Sequence, residues 1–420
     1  MRLVIFVLLT LSLSNCHQFI TLKLKESHKL DSTNMLVKHD PLFVENLKEH
    51  KPTKNLQAHV KLGKDKPFNL ELDTYDTYSW VYGSSTSHKP SYTCTAPCSL
   101  DQNALSITNS PSPGAIKSTQ CHVTGKLATD HLTLNKVKIE KFPIVIADKV
   151  KENKARNSDG VLALGYKKDG GLLHALKKEK KINKEVFSVY LGEGSKFLTL
   201  GDHEKYLSNN DFKEFKHSVK HGKWALSTAK LHFNLTNPHQ LLTGAETISY
   251  LDFANDGIYL PAAHLAKAKD ALNKHFGSAS ACKIVTTNLE CECSHEKKFP
   301  NLDFFLHNED KKSKVQIKGK NLISKHDEKC VTKLHQGEGN DLVLGRVIAE
   351  DHTLVFNQES QSISIGSEYQ TKIASHKISK EIMGVVIGLG VFFVLASIVA
   401  LIAIMKPVED SPPLQKVNYR

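Results

Sequence analysis

The 22 histidines of this 420-residue chain form no HExxH and no comparable spacing, so a zinc hydrolase finds no ligand set here. Cys291 and Cys293 are separated by one residue rather than two, and no histidine stands at zinc-finger distance from them, which removes a structural zinc site. No metal and no cofactor is expected. Glycine (23) and proline (14) are too sparse for a collagen, and eight cysteines are too few for a chain held together by disulfides alone. With 40% hydrophobic and 24% charged residues the chain is not disordered and can bury a core.

Two stretches lack charge. Leu3 to Leu13 is an apolar run behind Arg2 that ends among small residues, the pattern of a secretory signal peptide over residues 1–16. Ile382 to Met405 holds 24 residues without a charge, enough to cross a ~30 Å hydrocarbon core as a helix at ~1.5 Å per residue. The reading is a single-pass type I membrane protein: stalk 371–381, transmembrane helix 382–405, cytoplasmic tail 406–420. Its bulk then lies in the lumen of the secretory or endolysosomal pathway, or outside the cell. Lysines flank both ends of the span about equally, so orientation rests on the signal peptide.

About 365 residues remain between these segments, more than one core usually holds, and two lobes are expected. The net charge of +12 could suit an anionic partner. The lysines are dispersed, however, and the one dense cluster (Lys177, Lys178, Lys180, Lys181 around Glu179) reads as the solvated face of a helix over Leu172–Ile182. Nucleic acid is not an expected partner. In an oxidising compartment the cysteines default to disulfides, with Cys121 either free or bridged to Cys282. Asn234-Leu235-Thr236 is a usable glycosylation sequon.

Residues 17–56 are Lys- and His-rich with little periodicity, a prosegment or an N-terminal arm. Beyond them Phe68 to Asp73 alternates apolar and polar residues as a half-buried strand does, and delivers a carboxylate into a turn. Asp159 to Tyr166 is an apolar run closed by glycine. The order returns later: Ile248, Tyr250 and Leu251 lead into Asp252, Ala262 to Phe276 reads as a helix, and Leu342-Val343-Leu344-Gly345 repeats the glycine-closed run. Such a duplication predicts two similar lobes, each with one acidic turn. Two carboxylates that meet cannot both ionise easily. Sharing a proton, one can deprotonate water while the other protonates a peptide carbonyl.

These motifs resemble the pepsin-like aspartic proteases over most of 57–370. Asp73-Thr74-Tyr75-Asp76 followed by Ser79-Trp80-Val81 stands for the first Asp-Thr-Gly-Ser turn. Asp252 reaches Leu260-Pro261 at the spacing of the second turn. Phe187-Ser188-Val189-Tyr190-Leu191 matches a family strand, and Leu344-Gly345 with Val355-Phe356 matches the C-terminal Leu-Gly-Asp … Phe-Asp stretch. The resemblance implies a mainly β, bilobal fold with a few short helices, an N-terminal lobe over 57–190 and a C-terminal lobe over 191–370. It implies Asp73 and Asp252 as the catalytic pair and an extended polypeptide in the cleft. It also implies a small disulfide loop at Cys94 and Cys98, and a bridge from Cys330 to Cys291 or Cys293.

Four departures accompany it. Tyr75 and Ala254 replace glycines, and a tyrosine there is expected to shift the turn or enter the cleft. Thr74 is present, but Phe253 replaces the threonine that should answer it. Asp76 and Asp256 replace hydroxyl residues, adding anions that would raise the catalytic carboxyl groups. The segment Ser118-Thr119-Gln120-Cys121 resembles the flap of the membrane-bound beta-secretases, with Ser118 in place of its tyrosine and Cys121 in place of its glycine. The chain therefore reads as an aspartic endopeptidase with weakened activity, or as a non-catalytic relative that binds peptides.

Overall fold

A computed structural model describes residues 19–23, 25–26 and 56–366, the last span without 65, 97, 110–120, 136, 153–157, 193–196, 202–211, 216–218, 221, 236–239, 243–246, 309–310 and 327–328. The signal peptide, stalk, membrane segment and tail read from the sequence lie outside these residues, as do Ser118, Thr119 and Gln120 of the flap. No helix among the described residues is long and apolar enough to cross a membrane.

The first half is built around three strands: β1 (Lys66–Asp73), β2 (Trp80–Tyr82) and β3 (Gly160–Ala163). The strand Leu56–Leu62 turns back at Gly63 and pairs antiparallel with β1. Phe68, Leu70 and Leu72 point into the core while Asn69 stays exposed. The alternation is lost at the end of β1, where Glu71 and Asp73 are also buried, because β1 there lies between two other strands. β1 runs parallel to β3, β3 antiparallel to β2, and β2 parallel to the long strand Val137–Glu152.

The second half repeats this wiring. It contains β4 (Lys223–Phe233), β5 (Thr247–Leu251), β6 (Ile258–Leu260) and β7 (Leu342–Leu344). β5 runs parallel to β7, β7 antiparallel to β6, and β6 parallel to Lys329–Gln336. Each half thus hangs its aspartate from a strand held in the middle of a sheet. The duplication read from the sequence is a duplication of topology.

A six-stranded sheet joins the halves, and the expected boundary at 190/191 falls inside it, between the antiparallel neighbours Val186–Tyr190 and Phe197–Gly201. The two lobes share one large continuous buried cluster, and a smaller one around Trp80 lies in the first half alone. Phe187 stacks on Phe356 at 4.4 Å, Trp224 stands edge-on to Phe356 at 5.3 Å, and the Trp224 indole N–H donates to the Leu164 carbonyl of the first half at 2.9 Å. The arm at 17–56 is not wholly without structure: Phe19–Lys23 pairs with Phe197–Gly201 and so edges the joining sheet.

Two helices matter to the sequence reading. α1 (Gly171–Lys178) stops sooner than its apolar pattern suggested, and this corrects the lysine cluster. Only Lys177 and Lys178 lie on it. Glu179 leaves the helix to accept the backbone N–H groups of Glu140 and Lys141 at 2.9 Å, and Lys180 takes a left-handed φ of 57°. α2 (Ala262–Phe276) has the predicted limits. It buries Leu265, Ala268, Ala271 and Leu272 along one face and ends at Gly277 with φ 71°.

The disulfides are Cys94–Cys98, Cys282–Cys291 and Cys293–Cys330. The second overturns the bridge from Cys121 to Cys282: Cys282 and Cys291 face each other across an antiparallel pair, whereas Cys121 opens a strand of the other half, opposite Asn109 and Glu152. That pairing leaves Cys293, not Cys291, for Cys330.

Candidate active site

Asp73 ends β1 and Asp252 directly follows β5, and both are buried. Each accepts the backbone N–H of the residue two further on through its Oδ1: Tyr75 donates to Asp73 at 2.7 Å and Ala254 to Asp252 at 3.1 Å. Loss of the two glycines has therefore not opened either turn. Asp76 adds a second N–H to Asp73 Oδ1 at 2.9 Å. On the other turn the second donor is a side chain: Asn255 Nδ2 donates to Asp252 Oδ2 at 2.8 Å. These donors fix the orientation of both carboxyl groups.

The glycines that the turns do require lie elsewhere. Gly165 N–H donates to the Asp76 carbonyl and Gly345 N–H to the Gly257 carbonyl, both at 2.8 Å. A Cβ on Gly165 would come within 2.3 Å of the Asp76 oxygen. One on Gly345 would come within 2.4 Å of the Gly257 oxygen and 2.5 Å of the Asn255 oxygen. The glycine closing each apolar run is thus the floor on which the acidic turn rests.

Thr74 ties the turns together. Its hydroxyl donates to the Leu251 carbonyl and accepts the Phe253 N–H, both at 3.0 Å, in a fully buried position. Phe253 offers only its backbone to this lock. Its ring goes into the shared core, edge-on to Phe356 at 5.9 Å.

Tyr75 leaves the turn geometry intact and crosses to the other half. Its ring is buried against Ala225 and Tyr250, 6.2 Å from the Tyr250 centroid, with Lys223 Nζ 3.9 Å above it. Lys223 also donates to the Tyr75 carbonyl at 2.7 Å. Burial raises the Tyr75 hydroxyl well above its ordinary pKa. The negative field of Asp252 adds to this, followed by Tyr250, Asp76 and Asp73, so the phenol shares its surroundings with the aspartates of both turns.

The expected disturbance by Asp256 is corrected. Its carboxylate, 41% exposed, faces Arg346 Nη2 and His335 Nε2, each at 4.0 Å. Burial alone would raise Asp256, but Arg346, His335 and Lys333 outweigh it and keep it below the ordinary carboxylate range. A compensated anion transmits little repulsion to Asp252. Asp76 is buried beside Asp73. Cys121 begins the strand Cys121–Leu134, and Asn234 is exposed just beyond β4.

The sequence profile of the eukaryotic aspartyl proteases matches residues 56–368. The chain belongs to this family. Among solved structures, an aspartic proteinase from Irpex lacteus is similar in fold, with a TM-score of 0.60 at 16% identity over 76% of this chain and 96% of that one. No curated protein sequence matches. The mainly β, bilobal pepsin-like fold is that of aspartic-type peptidases, which bind peptides in the cleft between lobes.

Against the family pattern, Asn255, Arg346, His335 and Lys223 are the site residues that sequence reasoning missed. A signal existed for two of them. Asn255 stands three residues after Asp252, where the family has a hydroxyl donor. Arg346 follows Leu344-Gly345, where the family has aspartate, and Asp256 replaces a hydroxyl residue, so the two substitutions are legible together as a new pair of opposite charges.

Proposed function

We propose that this aspartyl protease homologue is an endopeptidase of reduced activity in which Asp73 and Asp252 share the general acid/base role. Water between the carboxyl groups loses a proton to the ionised partner as it attacks the peptide carbonyl. The protonated partner gives its proton to the carbonyl oxygen, and the reverse transfers release the amine. The observation that supports this best is the matched cradle, an N–H from the residue two further on at each Oδ1, with Thr74 bridging the turns. Reduced activity follows from a lock with one threonine and from the buried Asp76. The substrate is an extended polypeptide. The enzyme is anchored by 382–405 as a type I protein, with its peptidase lobes lumenal or extracellular and Asn234 glycosylated.

Cleavage of a peptide library at pH 4–6 tests the reading. Products should appear with the wild-type chain and vanish with the Asp73→Asn/Asp252→Asn variant; equal product from both would sink it. A second reading, a non-catalytic peptide-binding protein, has one observation in its favour: Tyr75 and Lys223 fill space beside the pair. It predicts peptide binding without turnover in the same experiment.

A further inference from the structure

The second lobe presents a face that the core does not use. Along β4, Trp224 and Leu226 enter the shared core, so Lys223 and Ala225 point to the opposite side. Along β5, Leu251 enters the core while Tyr250 joins the Ala225 cluster. Ala225 and Tyr250 are register partners. Lys223, Ala225, Tyr250 and the half-buried Ile248 therefore share one face of the sheet beside Asp252, where Tyr75 of the first lobe covers Ala225 and Tyr250 and leaves Lys223 half-buried at the edge.

Lys223 is half-buried on this surface. One of its three ammonium donors is spent on the Tyr75 carbonyl. Among the described residues it forms no ion pair, whereas Lys177, Lys314 and Lys333 each meet a carboxylate within 2.8 Å. Its place relative to the reacting groups is bounded. Tyr75 N–H lies 2.7 Å from Asp73 Oδ1, and Tyr75 O lies 2.7 Å from Lys223 Nζ. With ordinary bond lengths across one residue, the ammonium is no more than about 10 Å from the Asp73 carboxylate. An extended peptide advances roughly 3.3–3.6 Å per residue, so Lys223 is within about three residues of the bond to be cut.

We propose that Lys223, held in place by the Tyr75 ring and carbonyl, is a specificity subsite that selects peptides carrying a carboxylate within three residues of the scissile bond. The proposal rests on the peptide-cleft reading above. The carboxylate is either an acidic side chain or the free C-terminus of a short peptide, since both offer the same two oxygens to an ammonium. A charge-assisted hydrogen bond at a half-buried lysine is worth on the order of tenfold in selection.

The test uses full-length protein at roughly pH 5.5, where glutamate with its ordinary pKa of about 4.3 is ionised. Cleavage sites are first mapped with a mixed peptide library by mass spectrometry. Matched peptides with Glu or Gln at each of the three positions on either side of the cut, and with free or amidated C-termini, are then compared. One position should favour Glu over Gln about tenfold, or the free terminus over the amide, and which pair responds identifies the source. Lys223→Met should bring that ratio close to one and Lys223→Arg should keep it. A wild-type ratio near one at every position, or a ratio unchanged in Lys223→Met, overturns the subsite and shows Lys223 to be only a tether for Tyr75. Independently of any mapped cut, library peptides with Glu or Gln at matched positions and with free or amidated C-termini are titrated against the Asp73→Asn/Asp252→Asn variant. If nothing is cleaved but the carboxylate peptides still bind about tenfold tighter, hydrolysis fails and the subsite stands. Equal binding in that variant overturns the subsite as well.

Discussion

Thr74→Val is the sharpest test of how the two acidic turns are held together. Valine keeps the branched shape and opens no cavity, so the change isolates the hydroxyl. That hydroxyl serves two buried backbone groups at once, the Leu251 carbonyl and the Phe253 N–H, each at 3.0 Å. An orphaned buried donor or acceptor costs about 1–3 kcal/mol, the N–H more reliably than a carbonyl with two lone pairs. The expected loss is therefore about 2–4 kcal/mol. Thr74→Ser keeps both bonds and loses one methyl, about 1 kcal/mol. Equilibrium urea unfolding with intact disulfides measures both variants. Fluorescence from Trp80 and Trp224 reports one tryptophan in each half; Trp80 lies in the smaller cluster of the first half, but its neighbour Val81 enters the core shared with Trp224, so the transitions should coincide. Activity should fall about a hundredfold in Thr74→Val through misplacement of Asp252 by ~1 Å. If Thr74→Val were as stable as Thr74→Ser, the threonine would not be the bond between the turns.

Three further predictions concern the surroundings of the pair. Arg346→Met removes the main cation facing Asp256 and should destabilise the fold by about 1–2 kcal/mol at neutral pH, less than a fully buried pair because Asp256 is 41% exposed. Asp256 is held below its unfolded pKa, so its contribution is present above the ordinary carboxylate value of about 3.9 and is lost as pH falls through the lower folded value. The stability gap between wild type and Arg346→Met should therefore narrow on acidification below about pH 4, and a gap that widens would contradict the pairing. Gly345→Ala puts a Cβ within 2.5 Å of two backbone oxygens of the second turn and should cost kcat/KM about a hundredfold; unchanged kinetics would show that the turn can yield. Replacing Cys293 and Cys330 by serine opens a loop of 37 residues and should cost about 4 kcal/mol in the chain-entropy account. Opening the four-residue loop of Cys94–Cys98 should cost about 2, and the reverse order in thermal unfolding would refute that account.

What was legible before the structure was local or repeated. The alternation of Phe68, Leu70 and Leu72 marked β1 because a period of two has only one comfortable backbone. The spacing of Leu265, Ala268, Ala271 and Leu272 marked α2 for the same reason at a period near 3.6. α1 was drawn too long because Ile182 continues the apolar pattern, whereas Glu179 is pulled away by backbone donors of a distant strand. Of the two states open for Cys121, the bridge to Cys282 is excluded because Cys282 pairs with Cys291, and chain separation says nothing about which strands are neighbours. Asn255 went unnoticed because asparagine in a turn is ordinary, and only its distance to Asp252 Oδ2 makes it a donor.

By itself the sequence determined that two strands each end in an aspartate followed by a glycine-closed apolar run, since both are matters of short-range pattern and recur in the chain. Only the tertiary structure decided what surrounds those aspartates. Tyr75, expected to disrupt its turn, keeps it and packs onto the opposite lobe, where its ring is buried against Ala225 and Tyr250. Asp256, expected to disturb the pair, is neutralised by Arg346 from a segment ninety residues away. Charge and volume act through space, and the chain's order does not record those distances.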